Sequence, residues 1–204
     1  MNIRALLLVV VAVIAAIGGV IAGVTLFSPE PPPQFHAGTL LSAPRPLPEF
    51  ELRSTENAPF TRADLGGDWT LVFFGFTHCP DVCPNTLFML DRVVDQLRER
   101  KGVAPRVLFV SVDAERDSPE TIRAYLDYFD PAFIGATGDR ANLDRITQAM
   151  SVAYELQPLE QGYDVIHSST IVLIGPDAAV HGFFTPPLHA DAIAADVAQL
   201  LGRS

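Results

Sequence analysis

The sequence predicts an α/β protein in which a central mixed sheet carries helices on both faces. Two apolar runs, at residues 69–76 and 106–112, show no polar alternation, which is typical of strands buried on both faces of a sheet. Each run is followed by a segment of helical periodicity, as in parallel strands joined by helical crossovers. The runs at 169–175 and 179–184 flank a turn at 176–178 and predict an antiparallel hairpin.

The remaining elements complete a regular alternation along the chain. Leucine and valine at helical spacing predict a helix from Pro84 to Lys101, with Gly102 as its stop. The other predicted elements are a hairpin at 49–61, a helix from Ser118-Pro119 to about Phe129, a strand at 133–137, and helices at 140–150 and 190–202. This order is that of a thioredoxin-like fold, in which the residues at 77–83 follow the first parallel strand.

The N-terminal segment predicts a membrane anchor. Residues 5–27 are apolar and carry no charged side chain, and as a helix they would measure roughly 35 Å. Arg4 precedes this segment and Glu30 follows it, so we expect residues 1–4 to be cytoplasmic. A cleaved signal peptide is the alternative, and either way the rest of the chain is exported. No Arg- and Ser-rich presequence is present, which favours the bacterial inner membrane, with one transmembrane pass and the domain facing the periplasm.

The segment at 28–48 is rich in proline, which predicts an extended tether before a globular domain at 49–204. The chain contains 14 Lys+Arg and 24 Asp+Glu, a formal net charge of −10. Because nucleic acid binding needs a basic surface, this balance argues against nucleic acid as a partner. An acidic surface fits a cation or a basic protein instead.

Cys79 and Cys83, the only cysteines among the 204 residues, lie in the turn between the first parallel strand and its helix. Residues four apart in a helical turn have Cα atoms about 6.2 Å apart, near the upper end of the disulfide range of about 4.4–6.8 Å. Two thiolates on one metal lie about 4 Å apart, which this spacing allows easily. A structural disulfide is the simplest alternative, but closing so short a loop stabilises a fold little. A redox pair and a metal site therefore both stay open.

The position of Pro84 predicts that Cys83 caps the helix, where the dipole would lower the pKa of its thiol. Two soft thiolates suit Cu(I), Cu(II) or zinc, but a structural zinc site needs four ligands. Copper needs at most one further ligand here, and histidine is the natural choice. If strand 169–175 is antiparallel to 69–76, the start of strand 169–175 lies beside the cysteines. This topology favours His167 over His189 as the third ligand.

Three acidic residues accompany these ligands. Asp113 and Asp117 follow the second parallel strand at the same sheet edge, where they could form a docking surface. The preferred interpretation is that Asp117 helps to cap the helix at Ser118-Pro119 while Asp113 shapes the turn. Asp81, between the cysteines, is expected to be solvated.

Three motifs resemble the Sco (SenC-type) family of copper-delivery proteins: GFTHCPDVCP at 75–84, SVDAERDSPE at 111–120 and YDVIHSSTIVLIGPDAAV at 163–180. The resemblance implies a thioredoxin-like fold on one membrane anchor. It implies that Cys79, Cys83 and His167 bind one copper ion, as Cu(I) or Cu(II). It also implies a role in assembly of the copper A centre of cytochrome c oxidase.

The implied partners are the copper A-bearing subunit of the oxidase and another copper chaperone as donor. Two residues depart from the family pattern: Ile166 stands where Asp often precedes the histidine, and Ala114 stands where Pro is common. The first departure questions whether a carboxylate supports the histidine. Two alternatives to copper delivery are a thiol–disulfide reductase that keeps partner cysteines reduced and a peroxidase. Peroxidases on this fold place Thr three residues before the reactive cysteine, whereas Thr77 is two before Cys79.

Overall fold

A computed structural model describes residues 2–27, 33–56, 58–160 and 162–201. The chain divides into two compact units, residues 1–33 and 34–204. The first unit contains one helix, α1 (Ile3–Phe27). Within the described ranges, no helix meets the combined length and hydropathy expected of a membrane span. The structure thus does not confirm the prediction of a transmembrane anchor at residues 5–27.

The second unit is a mixed sheet with helices on both faces, as the sequence predicted. Its strands are β1 (Gly38–Pro46), β2 (Glu51–Ser54), β3 (Pro59–Thr61), β4 (Thr70–Gly75), β5 (Arg106–Ser111), β6 (Ile134–Thr137), β7 (Tyr154–Pro158), β8 (Tyr163–His167), β9 (Ile171–Ile174) and β10 (Ala179–Phe184). Its helices are α2 (Val82–Lys101), α3 (Pro119–Leu126), α4 (Arg140–Ala149) and α5 (Ala190–Ala198), and a 3-10 turn covers Arg62–Leu65.

Eight strands form one sheet in the order β1-β10-β9-β4-β5-β6-β2-β3. Strands β4, β5 and β6 are parallel to one another, and β9 is antiparallel to β4 as predicted. Strand β4 is buried along its whole length, and alternate residues enter two apolar clusters on opposite faces. Leu71 and Phe73 pack with α2, α3 and α5, whereas Val72 and Phe74 pack with α4. Because β4 lies inside the sheet between β9 and β5, the loop after it starts from a strand that is paired on both sides.

The N-terminal boundary of the domain differs from the prediction. Residues 38–46, assigned to the tether at 28–48, form strand β1 on the edge of the sheet beside β10. The register shifts between Leu40 and Arg45, which gives an irregular edge that accommodates proline. The compact unit accordingly starts at Gln34 rather than at residue 49. Residues 28–32 of the predicted tether lie outside the described residues.

A second sheet, which the sequence did not predict, consists of the two antiparallel strands β7 and β8. Strand β7 has no buried residue, and β8 buries only Val165, which enters the core. This hairpin brings His167 to the end of a strand immediately before β9. His167 thus belongs to β8, although its position near the start of β9 agrees with the predicted topology.

Candidate metal centre

The loop that carries the cysteines is fixed by a buried carboxylate. Asp117 has no exposed surface and accepts hydrogen bonds from the Thr77 amide at 2.8 Å and the Thr77 hydroxyl at 2.6 Å. The hydroxyl of Ser111, at the end of β5, donates to the same carboxylate at 2.5 Å. The loop is therefore attached to the end of the neighbouring parallel strand just before Cys79.

Cys79 and Cys83 are free thiols in unlike surroundings. Cys79 is partly exposed, whereas Cys83 has no exposed surface. Helix α2 begins at Val82 with Asp81 as its N-cap, so Cys83 lies inside the first turn. The Cys83 amide donates to the Cys79 sulfur at 3.4 Å. Cys79, in the loop before α2, is therefore the outer thiol, and Cys83, in the first turn of α2, is the inner thiol.

The structure contradicts the prediction that Cys83 caps the helix with a lowered pKa. Burial raises the pKa of the Cys83 thiol well above its ordinary value, and a backbone hydrogen bond from Phe76 only partly opposes this effect. The predicted start of α2 was two residues too late, since Pro84 occupies the third helical position rather than the first. Cys83 consequently stays protonated near neutral pH unless a metal displaces the proton.

His167 faces the inner thiol. Its Nε2 atom is 3.3 Å from Sγ of Cys83, and its Nδ1 atom is 3.0 Å from the carbonyl oxygen of Ser168. A carbonyl oxygen only accepts hydrogen bonds, so Nδ1 carries the proton and the neutral ring presents its Nε2 lone pair to the thiols. Burial lowers the pKa of His167 and favours that neutral form. The Ser168 carbonyl thus occupies the supporting role that Ile166 cannot fill.

Two aromatic rings hold the imidazole in place. The rings of Phe73 and Phe76 meet it edge-on, at centroid distances of 6.0 and 5.8 Å. Both phenylalanines are buried in the strand and loop that lead to Cys79. The imidazole therefore contacts two phenylalanine rings on one side and faces the thiols on the other.

The structure brings together the three predicted ligands and none of the other histidines. The ligand atoms of Cys79, Cys83 and His167 all lie within 4.8 Å of one another, the only such His, Cys or carboxylate group among the described residues. His189 is exposed at the N-cap of α5, and His36 and His78 are exposed as well. His181 pairs with Asp177 at 2.8 Å.

The acidic residues near the site have structural partners. Asp113 is 1% exposed and Asp117 0%, so neither contributes to a docking surface. Asp117 binds Thr77 rather than capping α3, which Ser118 caps by accepting from the Thr121 amide at 3.2 Å. Asp81 is exposed as expected and accepts a hydrogen bond from Asn85. Sequence reasoning did not identify Thr77 or Tyr163, whose contacts depend on the tertiary fold.

The donor set of this site fits a soft, low-coordinate metal ion. Two sulfurs, from the loop before α2 and from its first turn, converge with one imidazole nitrogen from the end of β8, and no carboxylate belongs to the group. Thiolate and imidazole together favour copper or zinc over magnesium or calcium, and three ligands are one fewer than a structural zinc site needs. A groove of about 260 Å³, lined by Cys79, Pro80, Val82, Ile166 and His167 among others, opens beside the ligands. An ion or a partner side chain can therefore reach Cys79 from solvent.

Comparison with known proteins places the chain in a family. The family described as SCO1/SenC matches residues 40–202. The mitochondrial SCO1 homolog of Homo sapiens is 39% identical over 141 residues, which cover 68% of this chain and 47% of the human protein. This chain thus spans about half the length of its human relative.

Solved structures agree with this assignment. Arabidopsis thaliana ScoI with copper bound has a TM-score of 0.71 at 32% identity, covering 74% of this chain and 95% of that one. Apo Sco1 from Thermus thermophilus has a TM-score of 0.72 at 32% identity, covering 83% and 99%. The thioredoxin-like fold and the family match therefore coincide over most of the second unit, and the chain belongs to the SCO1/SenC family.

Proposed function

We propose that this chain binds one copper ion through Cys79, Cys83 and His167 and delivers it to another protein. The observation that carries the proposal is the 3.3 Å approach of His167 Nε2 to Cys83 Sγ, within a group whose ligand atoms lie within 4.8 Å. These are two soft donors and one borderline donor, as copper prefers. The partly exposed Cys79 provides the side from which a metal can enter or leave.

The recipient that we propose is the copper A-bearing subunit of cytochrome c oxidase, with another copper chaperone as donor. The support for this proposal is membership of the SCO1/SenC family, together with a solved structure of similar fold that is described as a member of the Sco family of cytochrome c oxidase assembly proteins. We also propose a bacterial inner-membrane location with the domain in the periplasm. That proposal rests on the apolar, uncharged sequence at 5–27, with Arg4 before it.

A copper titration of the reduced protein tests the binding proposal. We expect one copper per chain and a strong loss of affinity in His167→Ala. His189→Ala is the matched control, because His189 is exposed at the start of α5 and outside the ligand group. Loss of copper in the His189 variant with retention in the His167 variant would refute the assignment.

A second candidate function is reduction of a partner's disulfide, which the unequal exposure of the two thiols favours. Cys79 is partly exposed and can attack a disulfide, while buried Cys83, whose amide lies 3.4 Å from the Cys79 sulfur, can resolve the mixed disulfide. Metal binding needs thiolates, so the oxidised pair should bind copper far more weakly. A protein that reduces disulfides rapidly and binds copper equally poorly in both redox states would favour the reductase.

A further inference from the structure

The hairpin that carries His167 is not part of the main sheet. Strands β7 and β8 pair only with each other in a separate two-stranded sheet. No ladder of backbone hydrogen bonds therefore fixes the register of β8 against β4 and its cysteine loop. A slip of one residue along a strand reverses the face of every side chain. The position of His167 therefore depends on the short connection to β9, which begins at Ile171 and pairs with β4, and on side chains that join β8 to the rest of the domain.

Three side chains of β8 point toward the domain. Asp164 and Ile166 are exposed, whereas Tyr163, Val165 and His167 are buried or partly buried, which is the alternation of a strand with one inner face. Val165 is 5% exposed and joins the apolar cluster that contains Phe76. Tyr163 and His167 thus share one face, at opposite ends of β8.

Tyr163 makes the polar contact at its end of this face. Its hydroxyl donates to Oδ1 of Asp113 at 2.6 Å, and Arg116 donates to the other oxygen of that carboxylate. The Arg116 guanidinium lies over the Tyr163 ring, 4.3 Å from its centroid, and 5.9 Å from the centroid of Phe76. Burial and the bond to Asp113 raise the pKa of Tyr163 to about 12, so the phenol remains a donor.

Asp113 lies four residues before Asp117, in the turn that follows β5. Asp117 holds the cysteine loop through Thr77, and Asp113 holds the histidine strand through Tyr163. Both carboxylates are buried, and the Asp117 amide bonds to the Asp113 carbonyl at 2.9 Å. One short turn therefore fastens both segments that carry the ligands.

We infer that Asp113 and Tyr163 are positioning residues that set the register of β8 and so hold His167 against Cys83. The effect of these residues on copper affinity rests on the proposed copper function, but the placement of the imidazole can be measured without metal. Tyr163→Phe keeps the ring under Arg116 and removes only the donor to Asp113. Outer groups that orient a metal ligand commonly change metal affinity by about 10-fold or more.

The experiment compares the full-length protein with Tyr163→Phe and with Tyr128→Phe. Tyr128 is 80% exposed and lies outside the site, so it controls for loss of a phenol. The first readout is the imidazole ¹⁵N and ¹H NMR signals of His167 in copper-free protein. We expect these signals to shift in Tyr163→Phe and not in Tyr128→Phe. In copper titrations we expect roughly a 10-fold weaker affinity for Tyr163→Phe alone.

Asp113→Ala provides a second route to the same bond. If the two residues act through one contact, the double variant should move the His167 signals no further than Asp113→Ala alone. Unchanged His167 signals in folded Tyr163→Phe protein would overturn the inference, as would shifted signals with unchanged affinity in a parent that binds copper. If the unsubstituted protein binds no copper, the proposed function is refuted. The His167 ring signals would still show whether Tyr163 and Asp113 position the imidazole.

Discussion

Sγ of Cys83 lies directly over the backbone of Gly75, so closely that a Cβ atom on Gly75 would be 2.7 Å from the sulfur. The same Cβ would be 2.8 Å from the Phe109 ring. Gly75 is the last residue of β4 and Phe109 belongs to the adjacent β5. The absence of a side chain at position 75 therefore makes the space in which the inner thiol is buried.

Gly75→Ala should displace the Cys83 thiol and weaken copper binding. The added methyl group cannot fit without movement of Sγ or Phe109, and overpacking of a close-packed core costs about 1–3 kcal/mol. Denaturant unfolding of the copper-free protein and a copper titration measure the two effects. Gly102→Ala is a contrasting variant, because its cost arises from the left-handed φ of 72° with no neighbour within 4 Å. It should destabilise the protein without changing copper affinity.

Asp196→Ala should loosen the start of the domain. Asp196 is 1% exposed and accepts hydrogen bonds from the backbone amides of residues 36, 37 and 38, at 2.8–3.0 Å. Removal of a charged acceptor that serves buried or partly buried donors should lower the free energy of unfolding by about 2–3 kcal/mol. Hydrogen exchange of those three amides should also become faster.

The control on the same helix is Asp191→Ala. Asp191 is an exposed acid in the first turn of α5, and its contact with Gln96 is exposed to water. We expect its removal to cost less than about 1 kcal/mol. An equal cost for the two variants would mean that the Asp196 bonds do not hold the N-terminal segment.

The stability of the copper-free protein should depend on pH through His167. Burial lowers the pKa of His167 below the ordinary histidine value of about 6.5, so the unfolded chain takes up this proton at a higher pH than the folded protein does. The contribution of neutral His167 to the free energy of unfolding is complete above about pH 6.5. It is lost as the pH falls through the lowered folded-state pKa, with a slope of at most about 1.4 kcal/mol per pH unit. Denaturant unfolding from pH 8 to 5 measures this slope.

His167→Gln removes the titrating group and should flatten the dependence, whereas His189→Gln should leave it as in the parent. The exposed His189 serves as the control because it lies outside the ligand group. Parallel pH curves for the parent and His167→Gln would contradict the expected role of burial.

The parts of the fold that the sequence predicted are those with strong local patterns. The continuous apolar run of β4 and the leucine stripe of α2 mark their elements without reference to the rest of the chain. The topology that follows from them was sufficient to favour His167 over His189. Strand β1 was not predicted because its prolines indicate a tether, and only its pairing with β10 makes it part of the sheet.

The environment of the ligands could not be predicted in the same way. Cys83 was expected at the N-cap, where the helix dipole would lower its pKa, but it is buried among Phe73, Phe109 and His167, and this burial reverses the direction of the pKa shift. The hairpin of β7 and β8 has one buried aliphatic side chain, Val165, and thus gives no periodic signal. Its attachment through Tyr163 depends on Asp113, which is 50 residues away in sequence.

X-ray absorption at the copper edge of the reduced, copper-loaded protein tests the three-ligand site most directly. We expect one copper per chain, with two sulfur atoms and one imidazole nitrogen in its first coordination shell. In His167→Ala the imidazole contribution should disappear while both sulfur atoms remain. A shell with fewer than two sulfur atoms in the parent protein, or an imidazole contribution that persists in His167→Ala, would contradict a site made by Cys79, Cys83 and His167.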